Sequence, residues 1–88
     1  MAARFKVSMG VMPDYGYSDD GLRIDAVLDD RPGARAGLQD GDVVIRIGEY
    51  EVDDVYGYME ALSKFEPGDE TTVVVRRGDE EIESSITF

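Results

Sequence analysis

The fold of this chain is decided by the stretch from Ala34 to Gly48, which reads ARAGLQDGDVVIRIG. Gly37 follows a turn of small residues, and glycine readily adopts the left-handed backbone conformation that ends a helical turn. Gly41 stands between two aspartates, which is typical of a tight turn that leads into a strand. The apolar run Val43–Ile45 predicts that strand. The stretch therefore predicts a short helical turn, a tight turn and a strand, in that order.

The composition is that of one small, acidic domain. A chain of 88 residues buries about 60–65% of the surface that it exposes when unfolded, and a hydrophobic fraction of 42% is typical of a globular protein. Nine basic and 20 acidic residues give a net charge of −11, which opposes binding to nucleic acid and to anionic membranes. No apolar run is long enough for a membrane span. We therefore expect neither nucleic acid nor a membrane as a partner, and a soluble monomer for the isolated domain.

Cysteine and histidine are both missing from the sequence. This excludes disulfides, zinc sites built from these residues and catalytic triads with an imidazole base. The sequence also has no strand-turn-helix nucleophile elbow, so we expect no catalytic residues and no cofactor in this domain. The aspartate pairs, such as Asp19-Asp20, do not follow the calcium-loop pattern, and we interpret the acidic residues as a solvated surface. Attraction of basic partner segments and a high-salt habitat are alternatives. The habitat alternative predicts that added salt stabilises the fold.

The alternation of apolar and polar residues and the positions of turn-forming residues predict the elements of the first third of the chain. A strand is predicted over Arg4–Pro13, in which Gly10 marks a bulge, a turn or a close approach of backbone. A polar loop follows over Asp14–Gly21. Leu22–Leu28 alternates apolar and polar residues, which predicts a half-buried strand with Leu28 on its apolar face.

The spacing of apolar residues and the positions of turn-forming residues predict the remaining elements. They are a helical turn over Pro32–Ala36, a strand over Asp42–Ile47, a tight turn at Gly48-Glu49, a brief strand over Tyr50–Val52, a helix with apolar positions from Val55 to Phe65, and strands over Thr71–Arg77 and Ile82–Phe88. Asp53 or Asp54 is expected to cap the longer helix. Tyr58 and Phe65 are expected to point to the core.

These motifs together resemble a PDZ domain of the bacterial, protease-associated type. The resemblance rests on A-R-A-G-L-x-x-G-D-V-V-I-x-I at Ala34–Ile47 and on the hairpin GDETTVVVRRG at Gly68–Gly78. Ser8–Tyr15 and Ile47–Met59 are further similar to the PDZ domains appended to bacterial zinc-dependent aminopeptidases. The resemblance implies a mainly β fold with two helices, as a partly open β-barrel of five to six strands. It also implies that residues 1–88 are a single domain excised from a larger, periplasmic or extracellular peptidase, to which any zinc would belong.

The resemblance implies a non-catalytic module that binds a peptide or a protein C-terminus and supports or regulates the attached peptidase. Peptides in this family add as a strand to a sheet edge, and their carboxylate is held by backbone N–H groups of a hydrophobic-glycine-hydrophobic loop. The peptide-binding residues implied here are Ser8, Met9, Gly10, Val11 and Met12 in the loop and first strand, and Val55, Met59 and Leu62 on the helix. The ligand's approach would require glycine at position 10, although a simple bulge is an alternative. Methionines 9, 12 and 59 would form an adaptable apolar pocket.

One position departs from the family's pattern. Counting from Val11, the residue whose N–H would pair with the peptide is Pro13, which has no N–H. The edge would then pair with only the last one or two residues of a ligand, and extended peptides would bind weakly. The alternative function is therefore an intramolecular docking domain that positions the attached peptidase domain and has no free peptide ligand.

Overall fold

The computed structural model describes residues 6–88. Along these residues the elements are β1 (Val11–Pro13), β2 (Leu22–Val27), α1 (Pro32–Arg35), β3 (Val43–Ile47), β4 (Tyr50–Glu51), α2 (Val55–Leu62), β5 (Glu70–Arg77) and β6 (Glu80–Thr87). The predicted order of strands and helices is confirmed, and so is the mainly β fold class with one short and one longer helix.

The strands form a six-stranded sheet that does not close on itself. Its order is β1-β2-β3-β5-β6, and β4 pairs with β3 near the turn that joins them. The other paired neighbours are also antiparallel. Within the described part of the chain, β1 pairs with β2 alone and is therefore an edge strand. An edge strand presents backbone groups on its outer side to any further strand.

The core consists of apolar side chains from most of the strands and from α2. The largest fully buried apolar side chains are Met9, Ile24, Val44, Ile47, Val52, Val73, Val75 and Ile86. In β5, Val73 and Val75 are buried while their neighbours are only half-buried, as a strand with one face on the core requires. Helix α2 packs against β3 and β4 and contributes Tyr58, Ala61 and Leu62.

The stretch from Ala34 to Gly48 folds as its glycines predict. Helix α1 has Pro32 in its first turn, and Gly37, just beyond it, has a φ of +86°. Gly41 has a φ of +91° in the turn before β3. Both values lie in the region that glycine adopts without steric cost.

Asp42, directly after that turn, is a buried carboxylate held by Arg77. Arg77 donates to it through Nε and Nη2, each at 2.8 Å, and the Gln39 backbone N–H donates at 2.9 Å. Burial alone would raise the pKa of Asp42, but the Arg77 hydrogen bond, the Gln39 N–H and the Arg77 charge together hold this pKa below its usual value. The pair ties the segment after α1 to β5.

Several element boundaries differ from the prediction, and three of these differences affect the candidate site or the core. The first strand covers only Val11–Pro13 of the predicted Arg4–Pro13, of which residues 4 and 5 lie outside the described part. It begins late because Gly10 has a φ of +70° and because the Met9 carbonyl accepts from the Gly33 N–H at 2.8 Å instead of from a strand. Leu28 is 41% exposed because β2 has already ended.

The longer helix also ends earlier than its apolar spacing predicts. Helix α2 stops at Leu62, and Phe65 lies beyond it, where its ring packs against Tyr50 at 5.9 Å and Phe88 at 5.2 Å between centroids. Phe65 therefore packs against the core from the connection after the helix, as a half-buried aromatic side chain.

Candidate functional site

The segment that precedes β1 is held by backbone hydrogen bonds to two other parts of the molecule. The Met9 carbonyl accepts from Gly33 of α1, and the Gly10 carbonyl accepts from Leu28 after β2, both at 2.8 Å. The Gly10 N–H donates to the Ser8 hydroxyl oxygen at 3.0 Å. Ser8 to Val11 thus form a defined loop whose glycine has a left-handed backbone.

Helix α1 and Arg31, the residue that precedes it, support this loop through two close contacts that sequence reasoning did not predict. A Cβ placed on Gly33 would lie 2.8 Å from the Met9 carbonyl oxygen and 3.1 Å from Val11 Cγ1. A Cβ placed on Gly10 would lie only 2.1 Å from the Cβ of Arg31. The resemblance explains the missing side chain at Gly10 by the approach of a ligand, whereas the structure fills this space with the aliphatic part of Arg31. The sequence feature that could have indicated this packing is Gly33, because glycine inside a helical turn is unfavourable unless packing requires it.

The register of β1 shows which of its backbone groups face outward. Val11 lies opposite Val27, Met12 opposite Ala26 and, after a bulge, Pro13 opposite Ile24. On either side of β1, Gly10 accepts from Leu28 at 2.8 Å and Asp14 donates to the Arg23 carbonyl at 2.9 Å. Since hydrogen bonding to one neighbour alternates along an antiparallel strand, the backbone groups of Val11 and Pro13 point away from β2.

Asp40 supplies independent support for this register. The N–H of Val27, the residue opposite Val11, donates to the Asp40 carboxylate at 2.8 Å and so points away from β1. Val11 and Val27 are therefore a non-hydrogen-bonded pair, and Val11 directs both its N–H and its C=O to the open edge. Pro13 directs only a C=O there, because proline has no N–H.

Helix α2 carries the second group of predicted site residues. Asp54 caps the helix by accepting from the Gly57 N–H at 2.8 Å, which settles the choice between Asp53 and Asp54. Val55 is half-buried, Met59 is 40% exposed and Leu62 is 6% exposed. Tyr58 lies in the core as expected, and its burial raises the pKa of the phenol. The spacing of Val55, Met59 and Leu62 places them along one face of the helix.

The predicted site residues of the loop and those of α2 pack in or against the same core, but they are buried to different extents. Met9 and Leu62 belong to the buried cluster, and Val11 and Val55 pack against it from the side. Met9 is fully buried, so its side chain offers no surface to a ligand. Met12 is 52% exposed and alternates to the face of β1 opposite Val11. The expected pocket of three methionines is therefore wrong, because Met9 fills the core and Met12 faces away.

Two classes of feature are not found in the described residues. Residues 6–88 contain no group of three or more acidic, histidine or cysteine side chains placed to hold a metal ion. Neither helix of this part is long and apolar enough to cross a membrane.

Comparisons with known proteins agree on one family. The family model described as PDZ domain matches residues 5–88. Serine protease HTRA1 of Xenopus tropicalis is 35% identical over 74 residues, which cover 84% of this chain and 16% of that protein. The chain therefore spans about a sixth of the length of this curated relative.

Solved structures of two protease types superpose on the chain. An aminopeptidase N family protein from Idiomarina loihiensis is 27% identical with a TM-score of 0.84, covering 99% of this chain and 15% of that one. The HtrA-type protease AlgW, solved with a decapeptide, is 25% identical with a TM-score of 0.81, covering 94% of this chain and 29% of that one.

Proposed function

This chain belongs to the PDZ domain family, and on that premise we propose that it is a non-catalytic module that captures the C-terminus of a peptide or protein. The observation that carries the proposal is the outer edge of β1. Val11 directs an N–H and a C=O away from β2, directly after a loop whose glycine has a φ of +70°. Successive N–H groups in such a turn can hold an anion, and an open edge can accept a strand.

In the proposed complex, the ligand runs antiparallel to β1 with its carboxylate at the Met9-Gly10-Val11 loop. Its terminal side chain would rest against Val11, Met59 and Leu62. Strand pairing would end after the last one or two ligand residues, since Pro13 has no N–H to continue the ladder. We therefore expect short, apolar C-termini to contain most of the binding energy.

We further propose that the domain supports or regulates an attached peptidase in an exported protein. Its likeness to a part of an HTRA1 serine protease and to a part of an aminopeptidase N family protein supports a peptidase parent. The sequence motifs at Ser8–Tyr15 and Ile47–Met59 favour the zinc-dependent aminopeptidase type. In that arrangement zinc is bound by the peptidase domain, and this domain needs no cofactor.

The test is an amide chemical-shift titration with one apolar-ended peptide in two forms, the free acid and the C-terminal amide. We expect the free acid alone to shift the amides of Met9–Met12 and Val55–Leu62. A matched control peptide that ends in aspartate should leave these amides unchanged. Equal shifts from the acid and the amide would contradict carboxylate capture.

The second candidate function is intramolecular docking without a free ligand, and Pro13 at the outer edge is the observation that favours it. It predicts that neither form of the peptide shifts any amide of the loop or of α2. It also predicts that joining the domain to its peptidase in one chain broadens or shifts the amide signals of β1 in the absence of peptide. Those two results together would replace capture by docking.

A further inference from the structure

The loop that is proposed to receive a carboxylate already contains an oxygen atom bound to one of its donors. The Gly10 N–H donates to Ser8 Oγ at 3.0 Å. Gly10 is buried, whereas Ser8 is exposed. A serine hydroxyl that accepts from the N–H two residues later mimics a backbone turn. Ser8 thus satisfies a buried donor that would otherwise be unpaired in the free domain.

We infer that the Ser8 hydroxyl is an internal competitor for the ligand's carboxylate, and this inference rests on the proposed function. Gly10 is the central residue of the Met9-Gly10-Val11 loop, so its N–H is a donor that an incoming carboxylate needs. Ser8 Oγ occupies the position of one acceptor on that donor. Binding therefore requires the hydroxyl to rotate away.

The exchange is possible because of what the two residues contact. Ser8 lies at the surface, so its hydroxyl can turn to water, where both its donor and its acceptor capacity are satisfied. A carboxylate oxygen accepts more strongly than a neutral hydroxyl, since charge-assisted hydrogen bonds are shorter and stronger. A free carboxylate gains from displacing Ser8. A neutral carboxamide gains little, because it replaces one neutral acceptor by another.

Two regulatory consequences follow for the same site. Ser8 weakens every ligand that uses the Gly10 N–H by about the net value of one hydrogen bond, which corresponds to roughly two- to tenfold in affinity. It also keeps the loop in its binding conformation while no ligand is present, because the buried N–H stays paired. The domain is therefore prepared for a carboxylate but releases it readily.

The experiment compares four proteins, which are the wild type, Ser8→Ala, Ser8→Asp and the control Ser85→Ala. Ser85 is exposed on β6, at the opposite edge of the sheet from β1. Affinity for the free-acid peptide is measured by calorimetry, and exchange of the Gly10 amide proton with solvent is measured by NMR in the absence of peptide.

We expect Ser8→Ala to bind the free acid about two- to tenfold more tightly, because its Gly10 N–H has no internal partner. We expect Ser8→Asp to bind more weakly than the wild type, because a carboxylate at this spacing accepts from Gly10 more strongly and repels the ligand's charge. Ser85→Ala should match the wild type. Without peptide, the Gly10 proton should exchange faster in Ser8→Ala than in the wild type, and slower in Ser8→Asp.

Two results would overturn the inference while leaving the proposed function standing. The first is peptide binding that is weaker in Ser8→Ala than in the wild type, which would make the hydroxyl a direct ligand contact. The second is an affinity for the free acid that is the same in Ser8→Ala as in the wild type, whether or not Gly10 exchange changes. If no peptide binds to the wild type or to Ser8→Ala, the proposed function itself fails, and the inference fails with it.

Discussion

Gly10 has a φ of +70°, and the aliphatic part of Arg31 lies where its Cβ would be, 2.1 Å from the Arg31 Cβ. Gly10→Ala therefore combines a left-handed alanine with a steric clash. Gly78 offers a matched control, since its φ is +62° and nothing lies within 4 Å of its would-be Cβ. Gly78→Ala therefore costs only the free energy of placing an L-residue in a left-handed backbone conformation.

We predict that Gly78→Ala lowers the free energy of unfolding by about 1–2 kcal/mol, the cost of a left-handed L-residue. Gly10→Ala should lower it by a further 1–3 kcal/mol or so, as overpacking does, and should also abolish binding of the free-acid peptide. Urea denaturation of both variants measures the difference. Equal losses would mean that Arg31 moves aside without cost.

Asp42 provides a prediction on pH. Its pKa is lowered by Arg77 and by the Gln39 N–H against the opposing effect of burial, so the unfolded chain binds this proton more readily than the folded one does. The stability that Asp42 contributes is therefore complete above its unfolded pKa of about 3.9 and is lost as the pH falls through the folded value.

Asp42→Asn should lower the free energy of unfolding by about 1.5–3 kcal/mol at pH 7, the usual value of hydrogen bonds to a charged group. The difference from the wild type should shrink progressively below about pH 4. Asp79→Asn, in the exposed turn between β5 and β6, is the control and should change little. Urea denaturation from pH 7 to pH 3 gives the comparison, and a difference that stays constant over this range would contradict the assignment.

Among the elements, those that depend on single residues and their neighbours could be predicted from the sequence. The left-handed glycines after α1 and before β3, the aspartate cap of α2 and the paired strands β5 and β6 all follow from local rules of conformation and alternation. The edge position of Val11 and Pro13 followed from the family's register, and the hydrogen bonds around β1 agree with it.

Contacts between segments distant in sequence could not be predicted in the same way. Neither periodicity nor composition reveals that Arg31 covers Gly10 or that Gly33 touches the Met9 carbonyl. These contacts end the first strand early and bury Met9, which removed it from the expected methionine pocket. Phe65 continued the helical spacing of apolar residues because its partners, Tyr50 and Phe88, require an apolar side chain whether or not the helix continues.

Because Pro13 has no N–H at the outer edge of β1, it should limit the number of ligand residues that pair with this strand. For peptides whose upstream residues are uncharged, wild-type affinity should stop increasing once the peptide has about two residues. Pro13→Ala restores an N–H, and a five-residue peptide should then bind about two- to tenfold more tightly than in the wild type, while a two-residue peptide should be unaffected.

Calorimetry with peptides of two to six residues tests this prediction, and Pro67→Ala in the turn after α2 is the control. Pro13→Ala should also self-associate more at high concentration, because prolines protect edge strands from pairing with another copy. Sedimentation measures that second effect. A wild-type affinity that rises with each residue up to five would show that Pro13 does not limit pairing.

The charge of the whole molecule sets its response to salt. A net charge of −11 is balanced by few internal contacts, since the ion pairs within residues 6–88 are Lys6–Glu66, Arg23–Asp14 and Arg77–Asp42. Self-repulsion should therefore destabilise the fold at low ionic strength. We predict that the thermal midpoint rises between 20 and 500 mM sodium chloride, as scanning calorimetry would record. A midpoint that does not change with salt would contradict both this and a high-salt habitat.

The same charge is concentrated where the upstream part of a ligand would lie. A hollow of about 370 Å³ at the end of β1 and the start of α2 is lined by Asp14, Asp19, Asp20, Asp53 and Asp54 together with Tyr15 and other residues. Asp14 is paired with Arg23 at 3.0 Å. A ligand that ran antiparallel to β1 from Gly10 would pass Pro13 and then Asp14, so its residues about three to five positions before the C-terminus would lie near this hollow.

Peptides with identical C-termini should therefore differ in affinity according to the charge of these upstream residues. We predict that lysine or arginine there tightens binding several-fold over glutamine at 20 mM salt, that glutamate weakens it, and that the differences nearly vanish at 500 mM, where the Debye length is only a few ångströms. Asp19→Asn combined with Asp53→Asn should reduce the preference. Glu81→Gln combined with Glu83→Gln on β6 removes the same charge at the opposite edge and should leave most of it. If both double variants reduce the preference equally, the attraction comes from the net charge alone and not from this hollow.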